Sequence, residues 1–193
     1  NHGGAISFGM ILPVSGLGRK SESTVAGSRG QDRAGFFLGS QSGGGMRKII
    51  GYYYGLSSPW TYLGGPRLEA IAQRQGAAIA YKPCDFAQVF AQSGGLPVAK
   101  RAPQRQAYRL VELERWSRHL DMPLVLQPAH FPTPGARAGL MVIAAQKAGP
   151  GAGALSNAIM AALWAENEDI EDPETLLRAA AGCGLDGDAL LVE

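Results

Sequence analysis

Cysteine is nearly absent from this chain. Among 193 residues there are two, Cys84 and Cys183. Two thiols so far apart make neither a metal-ligand pattern nor a redox pair, and they give no disulfide framework. Both read as inert, partly buried thiols, and a reducing cytoplasm is the simplest setting for them. Charge is also scarce, at 18% of residues with a net charge of +2. The basic stripe that a nucleic-acid partner needs is therefore missing. No apolar run approaches the roughly 20 residues that cross a bilayer. The best candidate, Ala5 to Leu12, stops at Pro13 and has no basic region ahead of it, which argues against a secretion signal. The expected partner is thus neither nucleic acid nor membrane, and no metal is expected.

Glycine and alanine are plentiful instead. The length suffices for one domain with a real core and is too short for two large ones. Residues 1–45 differ from the rest: rich in Gly and Ser, without sustained period, ending in Ser42-Gly43-Gly44-Gly45. Met46-Arg47-Lys48-Ile49 reads as a natural start. The expectation is a disordered or artefactual leader over 1–45 and a folded domain over 46–193.

From Met46 the pattern is orderly. A β-prone run covers 47–54, a helical pattern 59–75 and a second strand Ala77 to Lys82, with Gly76 as helix terminator. Strand, helix, strand at this spacing predicts a βαβ unit with parallel neighbours and a right-handed crossover. Helices follow. Gln104 to Leu120 has Ala107, Leu110, Val111, Leu113 and Trp116 near helical spacing. Further helices are predicted over Ala136 to Ala148 and Ala152 to Glu166. Another starts at Asp172-Pro173-Glu174, with Asp as N-cap and Pro at the first position, and runs to Gly182. Asp186 to Glu193 reads as a helix start that is cut off.

The most informative stretch is Tyr52-Tyr53-Tyr54-Gly55-Leu56-Ser57-Ser58-Pro59-Trp60. Ser58 falls where a strand hands over to a helix, at or beside the N-cap, with Pro59 in the first turn. A helix start offers free N–H groups and a positive dipole end, which favour an anion held there, including a thiolate. The alternative is that Ser58 only caps the helix.

Five fragments in order carry a family resemblance. They are Tyr52 through Gly64, Arg101-Ala102-Pro103-Gln104-Arg105-Gln106-Ala107-Tyr108, Glu112-Leu113-Glu114-Arg115-Trp116, Pro128-Ala129-His130-Phe131-Pro132 and Ala162-Leu163-Trp164-Ala165-Glu166. The chain resembles the 2-hydroxychromene-2-carboxylate isomerase family. That family groups with kappa-class glutathione transferases and with the DsbA-like branch of the thioredoxin superfamily. The resemblance implies an α/β, thioredoxin-like fold with a large all-helical insertion (about 85–170). It also implies that a C-terminal β-hairpin and helix, with a cis-proline loop, are missing beyond Glu193. The edges of the two remaining strands would then be exposed.

The family comparison carries a chemical implication. Disulfide oxidases have Cys-Pro-x-Cys at this corner, whereas the chain has Ser58-Pro59-Trp60-Thr61, so it cannot exchange disulfides by itself. The thiol comes from glutathione in the resembled family. Ser58 would stabilise its thiolate, with Pro59 and Trp60 completing the cofactor site. The implied reaction is cis-trans isomerisation in aromatic-compound catabolism, by reversible thiolate addition to an electron-poor double bond. The implied substrate is a small aromatic carboxylate, which calls for cations. Lys100, Arg101 and Arg105 are the candidates, or else an ordinary solvated cluster. Tyr108 either offers a phenol to substrate or packs in the core, and His130 either lines the pocket or serves a loop. Trp116 and Trp164 read as core. The chain has Leu96-Pro97-Val98 where related transferases place an Asn ahead of Pro-Pro. A homodimer is usual for the family. Alternatives are a kappa-like conjugating transferase, a non-catalytic thioredoxin-like binding module and an inactive fragment.

Overall fold

The computed structural model describes residues 10–13 and 48–191. Its sheet has three strands in the order β1 (Met10–Pro13), β2 (Lys48–Tyr54) and β3 (Ala77–Pro83). Isoleucines and three consecutive tyrosines suit β2 to a pleated, half-buried surface. β2 and β3 run parallel, with Lys48 opposite Ala77 and Tyr54 opposite Pro83. They are joined by α1 (Pro59–Arg74), as the βαβ pattern predicts.

β1 is antiparallel to β2, with Met10 opposite Tyr53 and Pro13 opposite Ile50. Four residues of the segment expected to be a leader thus belong to the sheet; the rest of 1–45 lies outside the described residues. An unpaired strand edge is a row of free donors and acceptors that attracts any available extended segment. The edge of β2 expected to be exposed is therefore covered. The outer edge of β3 is also served. Gln146 accepts from Tyr81 N at 2.7 Å and donates to Tyr81 O at 3.2 Å, so one side-chain amide does what a neighbouring strand would do.

The remaining elements are helical: α2 (Phe86–Ser93), a 3-10 turn Val98–Lys100, α3 (Pro103–Leu120), α4 (Ala136–Ala148), α5 (Ala152–Trp164), α6 (Pro173–Gly182) and α7 (Gly187–Leu190). The fold is mixed α/β, helix-rich around a small sheet. None of the described helices is long and apolar enough to cross a membrane. Asp172 caps α6 and Pro173 opens it, as the sequence pattern predicts. α2 was not foreseen. Asp85 caps it by accepting from Ala87 N and Gln88 N, and Gly94 ends it in the left-handed region at φ 74°.

The core lies where the sheet meets α1, α4 and α5. α5 buries Leu155, Ser156, Ile159, Met160, Leu163 and Trp164. The rings of Tyr52 and Tyr54 stack with centroids 4.5 Å apart, and Tyr81 meets each edge-on at 6.1 and 6.2 Å. Alternation along the strand puts Tyr52 and Tyr54 on one face. The hydroxyls of Tyr54 and Tyr81 are partnered as burial demands: Tyr54 Oη lies 2.7 Å from buried Ser156 Oγ. Tyr81 donates to Glu69, which also accepts from Asn157 on α5.

α3 departs from the amphipathic expectation. Leu113 is its one fully buried side chain, and Ala107 and Val111 face solvent. Asp186 caps α7, which stops after one turn with Leu191 extended.

Candidate functional site

The chain turns sharply between β2 and α1. Ser58 N donates to Gly55 O at 3.1 Å, closing the turn, and Ser58 is the N-cap with φ −89° and ψ 123°. Its carbonyl accepts from Thr61 N and Tyr62 N, both at 3.1 Å, while its Oγ takes only a long contact, 3.4 Å, from Thr61 N. Thr61 N is thus satisfied mainly by the carbonyl, which leaves the half-buried Ser58 hydroxyl free to donate elsewhere. Pro59 has no N–H to satisfy. The N–H of Trp60 has no acceptor among the described residues. The first turn of α1 contains no acidic side chain, so no charge within that turn offsets the positive end of this 16-residue helix.

Glycine at position 55 is required by packing. A Cβ there would lie 2.6 Å from the Phe86 ring, so α2 closes directly over the corner. Beside the corner is a cavity of about 350 Å³. Gly55, Leu56 and Ser57 form one wall, Cys84, Asp85 and Phe86 another, and Pro134, Gly135 and Leu140 a third. Ser58 itself adjoins this space through Ser57. A depression of similar size, about 370 Å³, lies between α5 and α6 and includes none of the corner residues. The corner, with its open hydroxyl and unmatched helix end, is the better site on chemical grounds.

The sequence candidates divide. Ser58, Pro59 and Trp60 sit together as expected, Pro59 buried and Trp60 half-buried. Lys100, Arg101 and Arg105 gather about the start of α3 and are all exposed. Arg101 Nε donates to Leu96 O at 2.9 Å. Tyr108 is 60% exposed, so it is no core tyrosine. His130 Nδ1 faces Asp169 Oδ2 at 3.7 Å, an exposed loop pair. Trp164 is fully buried and Trp116 half-buried against the core. Cys84 and Cys183 are free and half-buried.

Sequence reading missed Phe86 and Arg109. Asp85 followed three residues later by Gln88, with Gly94 beyond, was the available signal for α2. Nothing in the pattern separated Arg109 from its neighbours. Burial, and secondarily the charge of Arg101, pushes the Arg109 guanidinium below its ordinary range. Burial holds the Tyr52 phenol up at about 12 despite a hydrogen bond with Thr61 in the first turn of α1.

A small sheet whose inner parallel strand runs into a proline-started helix, with a half-buried serine hydroxyl at that helix's N-cap, defines a thioredoxin-type domain. The chain belongs to the DsbA-like thioredoxin domain family, whose model matches residues 49–192. Within that family it is similar to a 2-hydroxychromene-2-carboxylate isomerase of Sphingobium xenophagum, 29% identical over 146 residues, covering 75% of this chain and 73% of the relative. A Pseudomonas putida protein of the same name is 29% identical over 137 residues, covering 69% and 66%. A solved structure of 2-hydroxychromene-2-carboxylate isomerase superposes with a TM-score of 0.59 at 27% identity, covering 74% of this chain and 68% of that one. The chain is therefore a homologue of isomerases and spans about two thirds to three quarters of their length.

Proposed function

We propose that the chain is a glutathione-dependent cis-trans isomerase of the 2-hydroxychromene-2-carboxylate type, with Ser58 holding the glutathione thiolate. The observation that carries this reading is the Ser58 hydroxyl, half-buried at the start of α1 and only weakly engaged by Thr61 N at 3.4 Å. The residues present fit a thiol tripeptide. The corner offers a hydroxyl donor, the unpaired Trp60 N–H and an uncompensated helix end, and it has no sulfur of its own to compete. When bound, glutathione supplies the thiolate that adds to the substrate double bond and leaves after rotation about it.

Ser58 donates to the sulfur and favours its charged form, aided by the α1 dipole. Trp60 N–H is the second donor to the same anion. Buried Pro59 starts the helix without adding an unsatisfied N–H of its own. Phe86, pressed against Gly55, keeps water from one side of the corner. The exposed cations around the start of α3 attract a substrate of opposite charge.

The test is Ser58→Ala. Removing one donor aimed at a reacting anion lowers kcat by about 10²–10³, while loss of the cap lowers stability by only about 0.5–2 kcal/mol. Turnover of 2-hydroxychromene-2-carboxylate with glutathione is followed by absorbance, and the products are analysed by mass. A change of less than tenfold sinks the assignment of Ser58. A stable thioether in place of isomerised product makes the chain a conjugating transferase.

A further inference from the structure

Arg109 lies one turn beyond Arg105 on α3 and is the member of the cationic cluster that turns inward. Its guanidinium carbon is 5.2 Å from the centre of the Phe131 ring and 5.9 Å from that of Trp164. The two rings are themselves 5.1 Å apart and tilted by 52°. Nη2 of Arg109 is buried and has no hydrogen-bond partner among the described residues, and the same holds for Nε1 of Trp164. No carboxylate among the described residues forms an ion pair with Arg109, although Glu171 carries a buried, unpartnered Oε1 of its own. The charge most felt there is the like charge of Arg101.

A guanidinium removed from water is normally matched by an acid, because desolvating an unpaired charge is costly. Here a dry guanidinium nitrogen lies beside two aromatic rings and no acid among the described residues answers it. Arginine offers a planar fork that grips a carboxylate through two parallel hydrogen bonds. Phe131 is half-buried and can offer an edge or face to a flat apolar body, with fully buried Trp164 backing it.

We propose that Arg109 is the anchor for an organic carboxylate, whose flat portion lies against the half-buried ring of Phe131. In its fullest form, with an aryl carboxylate substrate as the anion, this rests on the isomerase reading above. The position suits that role. Phe131 opens the loop that ends at Gly135, and a Cβ on Gly135 would lie 3.9 Å from Ser57 N, next to the catalytic corner. Four residues of chain span at most about 14 Å, so anchor and corner are within the combined length of a tripeptide and a small aryl acid. Tripeptide and substrate both carry carboxylates, and the test distinguishes them.

Arg109→Met keeps much of the length and apolar contact but removes charge and donors; Arg109→Lys keeps charge without the fork. Kinetics use 2-hydroxychromene-2-carboxylate at saturating glutathione, and calorimetry uses glutathione alone. Tryptophan fluorescence is titrated with salicylate and with neutral salicylamide. In Arg109→Met the KM for the chromene carboxylate rises ten- to a hundredfold with kcat within about threefold, and Lys recovers part of the loss. Salicylate gives a saturable quench in the wild type that the Met variant loses and salicylamide never shows. The denaturation midpoint of the Met variant stays close to that of the wild type, since the two ring contacts but no hydrogen bond or ion pair are lost; an arginine with a purely structural role would lower it markedly.

A tenfold weaker glutathione affinity with unchanged substrate KM assigns the anchored carboxylate to the tripeptide and still supports the anchor. If wild-type protein turns over no substrate but salicylate binding depends on Arg109, the isomerase reading fails and the anchor stands. If neither KM, glutathione affinity nor salicylate quenching responds, the anchor is overturned.

Discussion

The β2–α1 corner and the α2–α3 flank both carry candidate residues, and they are built by opposite means. Backbone bonds and core packing hold the corner. Ser58 is tied to Gly55, Thr61 and Tyr62, and Tyr54, Leu56 and Pro59 around it are buried. The flank has little such support. α2 buries no side chain completely and α3 buries one, while Val89, Leu96, Tyr108 and Val111 stand in solvent. The difference separates two tasks. A rigid corner can keep donors aimed at one atom, which is what charge stabilisation needs. A lightly packed flank can change its side chains without unfolding the domain, which suits the choice of substrate.

The contrast breaks most readily by paired truncation. Leu56→Ala at the corner, where the side chain is 3% exposed, is expected to cost about 2–5 kcal/mol. Leu96→Ala on the flank, 52% exposed, should stay within about 0.5 kcal/mol. Urea unfolding of the two variants measures both, and equal losses would erase the distinction.

Alkaline titration sharpens it next. Burial raises the Tyr52 phenol from 10.0 to about 12. Below pH 10 both folded and unfolded forms keep the proton, and the contribution is fully present. Above pH 10 the unfolded chain ionises first, so stability falls as pH rises toward about 12, by about 2–3 kcal/mol in total. Tyr52→Phe should remove that part of the alkaline loss. Unfolding free energies across this window, compared between wild type and variant, decide the matter.

The smallest of the three effects concerns the buried hydroxyl pair behind the corner. Tyr54→Phe leaves Ser156 Oγ without its partner at 2.7 Å and should cost about 1–2 kcal/mol. Adding Ser156→Ala should restore part of that loss, because the orphaned hydroxyl goes too. A double variant as unstable as the sum of the singles would mean that the pair is not coupled.

The same division explains what could be read in the sequence. Pro59, Gly76 and Asp172-Pro173 act through their own backbones, so α1, β3 and α6 were legible within a residue or two. Ser58 was legible as a cap for the same reason. Features set by contacts distant in sequence were not. Buried Tyr54 finds its hydroxyl partner, Ser156, only when α5 brings it from 102 residues away. Ala107 and Val111 have helical spacing yet face water, because α3 offers the core little more than Leu113. Arg109 differs from Lys100, Arg101 and Arg105 only through Phe131 and Trp164, and neither is its neighbour in sequence. β1 was hidden inside a Gly- and Ser-rich stretch whose composition outweighed a short apolar run.

The amide of Gln146 has a consequence for assembly. By occupying both the N–H and the carbonyl of Tyr81, it acts as a stopper on the outer margin of β3. A second copy cannot zip onto that margin through Tyr81 without first evicting the glutamine. Among the described residues, growth of the sheet by strand addition is therefore one-sided, open beyond β1 and obstructed beyond β3. A dimer that respects this arrangement joins through helices or loops, or through the β1 side.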